Sequence, residues 1–227
     1  MTRPRTRLGL ATAILDCGLM PNFATTDFEI ALGVARATWA GGCPVLEFLN
    51  RGVGAAAVFA RLAEQMRTEA PDLLLGAGTV TEPGSAAEFI NAGAAFIVGP
   101  NSNPAVAAVC GRMGIPYVPG CGTVTEIGDA MAAGSDIVKF FPAPFLGGPA
   151  AVKALLGPYP HLVLLPSGGV ETSEAALRDW FDAGVGAVSV GAALISSELV
   201  GRRDWDELAA RTAEVMAIVR AARKLPR

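Results

Sequence analysis

Charge is scarce in this chain. Only 17% of its 227 residues are charged, and the formal net charge is −3. With no basic stripe, nucleic acid is not an expected partner. Long apolar runs are missing as well, although hydrophobic residues make up 52% of the chain. The longest uncharged run, residues 89–111, is interrupted by Pro100, Pro104 and three asparagines. Nothing therefore reads as the ~20 apolar residues of a membrane span. Residues 2–20 place basic side chains before apolar ones, as a signal peptide does. Asp16 breaks the apolar part, however, and no small-residue cleavage motif follows. A cytoplasmic location is expected.

Histidine is nearly absent. His161 stands alone, so a His-rich zinc site is excluded and a Ser-His triad is a poor reading. It follows two prolines in "GPYPH", which reads as a solvated surface loop. The four cysteines, Cys17, Cys43, Cys110 and Cys121, form no C-x-x-C pair and read as reduced core fillers. Lysine is rare too. There are three, Lys139, Lys153 and Lys224, and arginines make up the rest of the eighteen basic residues.

What the chain does have is a repeated pair of patterns. Short apolar runs ("TAILDCG", "PVLEFLN", "DLLLGAG", "AAFIVGP", "IPYVPGC", "DIVKFFP", "HLVLLPSGG" and "VGAVSVGAA") have strand length and end near Gly, Pro or Asn. Stretches of helical spacing lie between them, such as "DFEIALGVARATWAGG", which Thr26 or Asp27 can cap. "TVTE" at 123–126 has capping-box spacing, and several helices end in Ala-Gly or Gly-Gly. Apolar strands alternating with helices imply a parallel sheet covered by helices. Eight such units in this length predict an α/β fold, a (β/α)8 TIM barrel. It is read as a single domain spanning 1–227, closed by a last helix, "WDELAARTAEVMAIVRAARK". A doubly wound open sheet is the alternative, but the G-x-G-x-x-G fingerprint is missing after the first strand.

In a barrel of this kind, chemistry sits at the C-terminal ends of the strands. In "PVLEFLNR" the period of two puts Glu47, Leu49 and Arg51 on one face, with Phe48 and Asn50 on the other. A carboxylate and a guanidinium can thus enter one cavity, or simply form a buried ion pair. "GAGTV" places Thr79 after two glycines, where a backbone can approach a ligand. Lys139 is the one lysine inside an apolar strand. Burial disfavours an ammonium, and a neutral amine attacks carbonyls, as Schiff-base lysines do. Pairing with Glu47 as structure is the plain alternative, and the two readings are compatible. "PSGGV" and "SVGAAL" put glycine-bearing loops after the last two strands, positions that often bind phosphate through backbone N–H groups.

The ordered set E-x-x-x-R, G-A-G-T-V, a strand ending in Pro100, P-G-C-G-T, V-K-F-F-P-A, P-S-G-G-V and V-G-A-A-L resembles the class I aldolase family. Its members are the 2-keto-3-deoxy-6-phosphogluconate (KDPG) and 4-hydroxy-2-oxoglutarate (KHG) aldolases. The match runs from about residue 11 to 194, and "GAGTV" together with "KFFPA" is its specific part. The resemblance implies a (β/α)8 barrel, usually a homotrimer, that acts on a small 2-oxo acid, commonly phosphorylated, with no metal or other cofactor. It implies that Lys139 forms the Schiff base and Glu47 is the general acid/base. Arg51 and Thr79 would hold the 2-oxo acid carboxylate, and Pro100 would contribute at its strand end. Ser167 would lie near the reacting carbons, while Gly168, Gly169 and Gly191 would line the phosphate end.

Two departures stand out. "EFLNR" replaces the more familiar E-V-T-L-R, so Leu49 takes the place of a hydroxyl. Ala192 stands where some members have a phosphate-binding serine. The expected reaction is cleavage of KDPG to pyruvate and glyceraldehyde 3-phosphate, or of 4-hydroxy-2-oxoglutarate to pyruvate and glyoxylate. The galactonate epimer of KDPG or an unphosphorylated 2-oxo acid is the alternative substrate. A phosphate-binding barrel isomerase and a non-catalytic binding protein are the rival classes. Retention of Lys139 and Glu47 speaks against the second.

Overall fold

A computed structural model describes residues 6–223. Arg3, Arg5 and Lys224, part of the readings above, lie outside the described residues. The strands are β1 (Leu19–Phe23), β2 (Val45–Leu49), β3 (Leu74–Gly78), β4 (Ile97–Val98), β5 (Tyr117–Val118), β6 (Gly120–Cys121), β7 (Val138–Phe140), β8 (Leu164–Pro166) and β9 (Val188–Val190). The helices are α1 (Arg7–Cys17), α2 (Phe28–Ala40), α3 (Ala55–Glu69), α4 (Pro83–Asn91), α5 (Pro104–Arg112), α6 (Val124–Ala132), α7 (Gly148–Leu156), α8 (Glu174–Ala183), α9 (Ser197–Arg202) and α10 (Trp205–Ala222).

Every strand pairing is parallel. One sheet runs β5-β4-β3-β2-β1-β9 and a second runs β6-β7-β8. Pro119 alone separates β5 from β6, so the predicted run "IPYVPGC" becomes two short strands. The proline has no N–H to give to a ladder, which breaks the pairing there. Its carbonyl accepts from the Lys139 N–H at 2.9 Å. On the other side, the Gly186 N–H, just before β9, donates to Leu164 O of β8 at 3.0 Å. The fold is thus α/β, with a curled parallel sheet and helices between successive strands except β5 and β6.

One expected strand is corrected. "TAILDCG" is the end of helix α1. Leu10, Ile14 and Cys17 recur at helical spacing and are buried. The Thr6 hydroxyl caps the start by accepting from the Gly9 N–H, and Gly18, at φ 73°, stops the end with an N–H to Ile14 O. The first strand comes five residues later than predicted from its end, as "LMPNF". It was masked by Pro21 and Asn22, which read as breakers.

Other local expectations hold. Asp27 caps α2 by accepting from the N–H groups of Glu29 and Ile30. Thr123 and Glu126 form a full capping box on α6. α8 starts at Glu174 behind its cap Ser173, whose hydroxyl accepts from the Ala176 N–H. The four cysteines are free and buried, and burial pushes the Cys110 and Cys121 thiols up to about 12. Such thiols are poor nucleophiles and serve as packing. His161 is exposed beside Tyr159. Among the described residues no helix is long and apolar enough to cross a membrane.

The core lies between strands and helices. Phe48 packs edge-on against Phe23 and Phe59, at 5.5 and 5.8 Å between centroids, and Phe59 continues to Phe89 at 5.0 Å. These rings fix the face of β2 that points to the helices. The opposite face, with Glu47 and Leu49, must then point to the strand interior.

Candidate active site

Glu47 is fully buried. Neither of its carboxylate oxygens has a hydrogen-bond partner. In β2 it pairs in register with Asn22 of β1 and Gly76 of β3. A β-carbon on Gly78 would overlap Glu47 Oε1 and crowd Leu49, so the glycine is what gives the carboxyl its space. Burial pushes the Glu47 carboxyl above the usual range. The charges of Lys139 and Arg51 oppose that rise, with a smaller contribution from the Ser189 hydroxyl. A buried, unpartnered carboxyl is costly and is retained where it has work to do. The expected ion pair of Glu47 with Lys139 is therefore a through-space interaction, with no hydrogen bond between them.

Lys139 lies at the middle of β7, 7% exposed, paired in register with Gly120 of β6 and Leu165 of β8. Its neighbours Ile137, Val138 and Phe140 belong to the core. The amine sits 4.9 Å from the centroid of the Phe141 ring. The flanking residues anchor the strand, and the one polar side chain faces a cavity of about 450 Å³.

Arg51, two residues past β2, reaches the same cavity. Its Nε donates to Thr79 Oγ1 at 3.2 Å. Thr79 holds φ 58°. Left-handed backbone is unfavourable for a β-branched residue and is stored where the surroundings enforce it, commonly at functional sites. Arg51 and Thr79 together present a guanidinium and a hydroxyl on one wall.

The opposite wall is made by the loops after β8 and β9. Ser167 is 3% exposed. Gly168 and Gly169 follow with φ 83° and 100°. A side chain at 168 would also strike the Phe141 ring. Gly191 and Ala192 complete the wall. A second lobe of about 430 Å³ shares Asn22, Leu49, Arg51, Gly191 and Ala192 with the first.

The structure thus gathers Lys139, Arg51, Ser167, Gly168, Gly169 and Gly191 around one cavity. Glu47 is buried at its edge beside Leu49, and Thr79 joins through Arg51. Pro100 stands apart from the cavity wall; its carbonyl instead backs onto Gly120, where a side chain would not fit. Sequence reasoning missed Asn22, Phe141 and Glu171, all of which line the cavity. Phe141 stood inside the quoted "KFFPA" motif. Asn22 was hidden with β1. It donates from Nδ2 to Ser189 Oγ at 2.9 Å, and the absence of a side chain at Gly191 leaves room for its Oδ1.

Chemically, the site offers a buried amine, a carboxyl with a raised pKa, a guanidinium–hydroxyl pair and a glycine-lined wall. That set can capture a carbonyl and move protons beside it. Among the described residues, no three His, Cys, Asp or Glu side chains group to hold a metal ion.

Comparison with known proteins narrows this chemistry. The sequence pattern described as KDPG and KHG aldolase matches residues 12–211. A Treponema pallidum protein named 2-dehydro-3-deoxy-phosphogluconate aldolase is 39% identical over 158 residues, covering 70% of this chain and 73% of its own. An Escherichia coli protein named KHG/KDPG aldolase is 32% identical over 199 residues, 87% of this chain and 91% of its own. The crystal structure of a Legionella pneumophila KDPG aldolase, with pyruvate captured as a covalent carbinolamine, superposes with a TM-score of 0.82. It is 28% identical and covers 91% of this chain and 97% of that one.

Proposed function

The chain belongs to the KDPG and KHG aldolase family, and from that premise we propose that it is a Schiff-base aldolase. It cleaves 2-keto-3-deoxy-6-phosphogluconate to pyruvate and glyceraldehyde 3-phosphate, with 4-hydroxy-2-oxoglutarate as a second substrate. The single observation that carries the reading is the buried Lys139 amine facing the cavity, with Arg51 on the same cavity and the buried Glu47 carboxyl feeling the charge of both.

The reaction follows from the geometry. Arg51 and Thr79 hold the C1 carboxylate. The Lys139 amine adds to the C2 carbonyl to give a carbinolamine, and loss of water leaves an iminium. Glu47 removes the C4 hydroxyl proton. The C3–C4 bond breaks, its electron pair moves into the iminium to give an enamine, and the aldehyde departs. Glu47, now protonated, returns the proton to C3, and hydrolysis releases pyruvate and the free amine. Burial of Glu47 suits both roles, since a carboxyl whose pKa is raised is the stronger base when ionised and holds the proton that it must return. The iminium is itself the electron sink, so the route calls for no metal or other cofactor. Ser167 lies beside the reacting carbons, while Gly168, Gly169 and Gly191 leave room for the far end of the substrate. Pro100 acts indirectly, by packing its carbonyl against β6.

The same reading extends to the architecture. The β5–Pro119–β6 continuity and the Gly186-to-Leu164 bond support closure of the two sheets into a single-domain (β/α)8 barrel, with α10 as its closing helix. The assembly is a homotrimer in the cytoplasm. Val53, fully exposed, and Phe145, 86% exposed, supply apolar surface that an assembly would cover. Light scattering giving three times the chain mass checks the trimer.

Borohydride trapping with pyruvate tests the mechanism. The expected result is a mass increase on the tryptic peptide that contains Lys139, insensitive to chelator. In Lys139→Met the adduct disappears and kcat/KM falls by at least ~10⁴-fold. An adduct on another residue, or none in the unmodified chain, removes the mechanism. A chelator-sensitive activity without an adduct would point to the rival isomerase class.

A further inference from the structure

The charges around the cavity are few, and they are unevenly placed. Three charged side chains line it among the described residues: Arg51, Lys139 and Glu171. The reading above uses Arg51 for the C1 carboxylate and Lys139 for the imine. A substrate held that way extends from Lys139 past Ser167 toward Gly168 and Gly169. The charged group waiting at that end is Glu171, two residues beyond Gly169, and it is an acid.

Glu171 has no ion-pair or hydrogen-bond partner among the described residues. It also lines the adjoining cleft, where the other charged side chain is Asp179. The first turn of α8 adds Glu174, and the cation beside it, Arg178, is already bound to Glu174 at 2.6 Å. Across the cavity, Gly191 and Ala192 bring neither a hydroxyl nor a cation. A phosphate dianion at this end would find glycine backbone and the Ser167 hydroxyl but no cation of the loops after β8 and β9, and would face a carboxylate. A terminal hydroxyl would instead find in that carboxylate an acceptor for its proton, a charge-assisted hydrogen bond.

We propose that Glu171 is a specificity-determining residue that disfavours a terminal phosphate and favours a hydroxyl-ended 2-keto-3-deoxy sugar acid. The proposal rests on the Schiff-base aldolase reading, and it shifts the substrate class within that reading toward unphosphorylated acids. Selection here works by repulsion as much as by attraction. Because Glu171 is exposed at the mouth, the effect is modest and is screened by salt.

The experiment compares kcat/KM for KDPG and for 2-keto-3-deoxygluconate in the wild-type chain, Glu171→Gln and Ala192→Ser. The expected result is a rise of about fivefold in the phosphorylated-to-unphosphorylated ratio for Glu171→Gln. The same ratio in the wild type should climb as salt is raised from ~50 to ~500 mM, with a flatter response in Glu171→Gln. Ala192→Ser should raise the ratio through a new donor, leaving its salt response like that of the wild type. Pyruvate trapping on the wild-type chain separates the two levels of failure. Absence of the Lys139 adduct removes the aldolase reading itself. An adduct on Lys139, together with an unchanged ratio and an unchanged salt response in Glu171→Gln, overturns the role of Glu171 alone.

Discussion

The two walls of the cavity are built on opposite plans. The β2–β3 wall is crowded and committed: a fully buried Glu47 with no hydrogen-bond partner, a glycine stripped back to admit it, and a threonine forced to positive φ beside Arg51. The wall after β8 and β9 is open. It is made of Ser167, glycines, Ala192 and an exposed Glu171 whose charge is unpaired. The first wall carries an unpartnered buried carboxyl and a strained backbone, features that cluster where a site is prepared for one chemical step. The second wall stores little and can be altered cheaply, as suits the part of a site that selects among substrates sharing that step. Changes on the first wall should therefore move kcat, while changes on the second should move ratios between substrates.

The strongest way to break this contrast is Glu47→Gln. Loss of the proposed proton carrier should lower kcat by ~10²–10⁴-fold, the usual range for a positioned acid/base, while pyruvate should still form its imine on Lys139. Stability should move the opposite way. Burial raises the Glu47 pKa above its unfolded value of about 4.5, so the folded state is favoured by the protonated form. That contribution is complete below the unfolded pKa and is lost as pH rises through the folded one. Glu47→Gln escapes the loss. Its unfolding free energy, from denaturant titrations at each pH, should match the wild type's at low pH and exceed it by roughly 1–3 kcal/mol once the pH is above the raised pKa. A variant that is less stable than the wild type at pH 8 would mean that Glu47 is a structural group and that the wall is not strained.

A smaller disturbance of the same wall is Gly78→Ala. The added methyl would overlap Glu47 Oε1 and crowd Leu49, so the carboxyl must shift. Overpacking of this kind costs roughly 1–3 kcal/mol, and a displaced base should lower kcat by ~10–10²-fold with little change in KM. Chemical denaturation and steady-state kinetics together check it. Wild-type kcat in a destabilised Gly78→Ala would show that the position of the carboxyl matters less than its presence.

The contrast between the walls also explains what could be read from the sequence. Lys139, Glu47 and Arg51 were legible because a charge inside an apolar strand violates the local pattern, and period-2 spacing assigns it a face. The glycine loops after β8 and β9 were legible as loops. Asn22 was not, because β1 was placed on "TAILDCG". That run is as apolar as a strand but carries Leu10, Ile14 and Cys17 on one side of a helix. The true strand contains Pro21 and Asn22, and short parallel strands gain their stability from pairing on both sides rather than from local propensity. Here both neighbours exist, β2 and β9. Pro100 shows the converse case. Its position at a strand end was right, yet its carbonyl turns to Gly120, because backbone packing between adjacent strands leaves no signature in a single sequence.

The finest probe of the committed wall is Thr79→Val. Valine keeps the branched shape and deletes only the hydroxyl that accepts from Arg51 Nε at 3.2 Å. One hydrogen bond to a charged group is worth about 1.5–3 kcal/mol in favourable geometry and less at a partly exposed site. The expected outcome is a rise of about three- to tenfold in KM for 2-oxo acids, shared equally by phosphorylated and unphosphorylated substrates, with kcat within about twofold of wild type. The equality is the informative part. In the proposed reaction Arg51 and Thr79 meet the end of the substrate that all candidates have in common, so their loss should leave the substrate ratio where the proposal has Glu171 and Ala192 set it. A Thr79→Val enzyme whose ratio moved as far as that of Glu171→Gln would mean that the two walls are coupled through the bound substrate, and that recognition and chemistry are not divided between them.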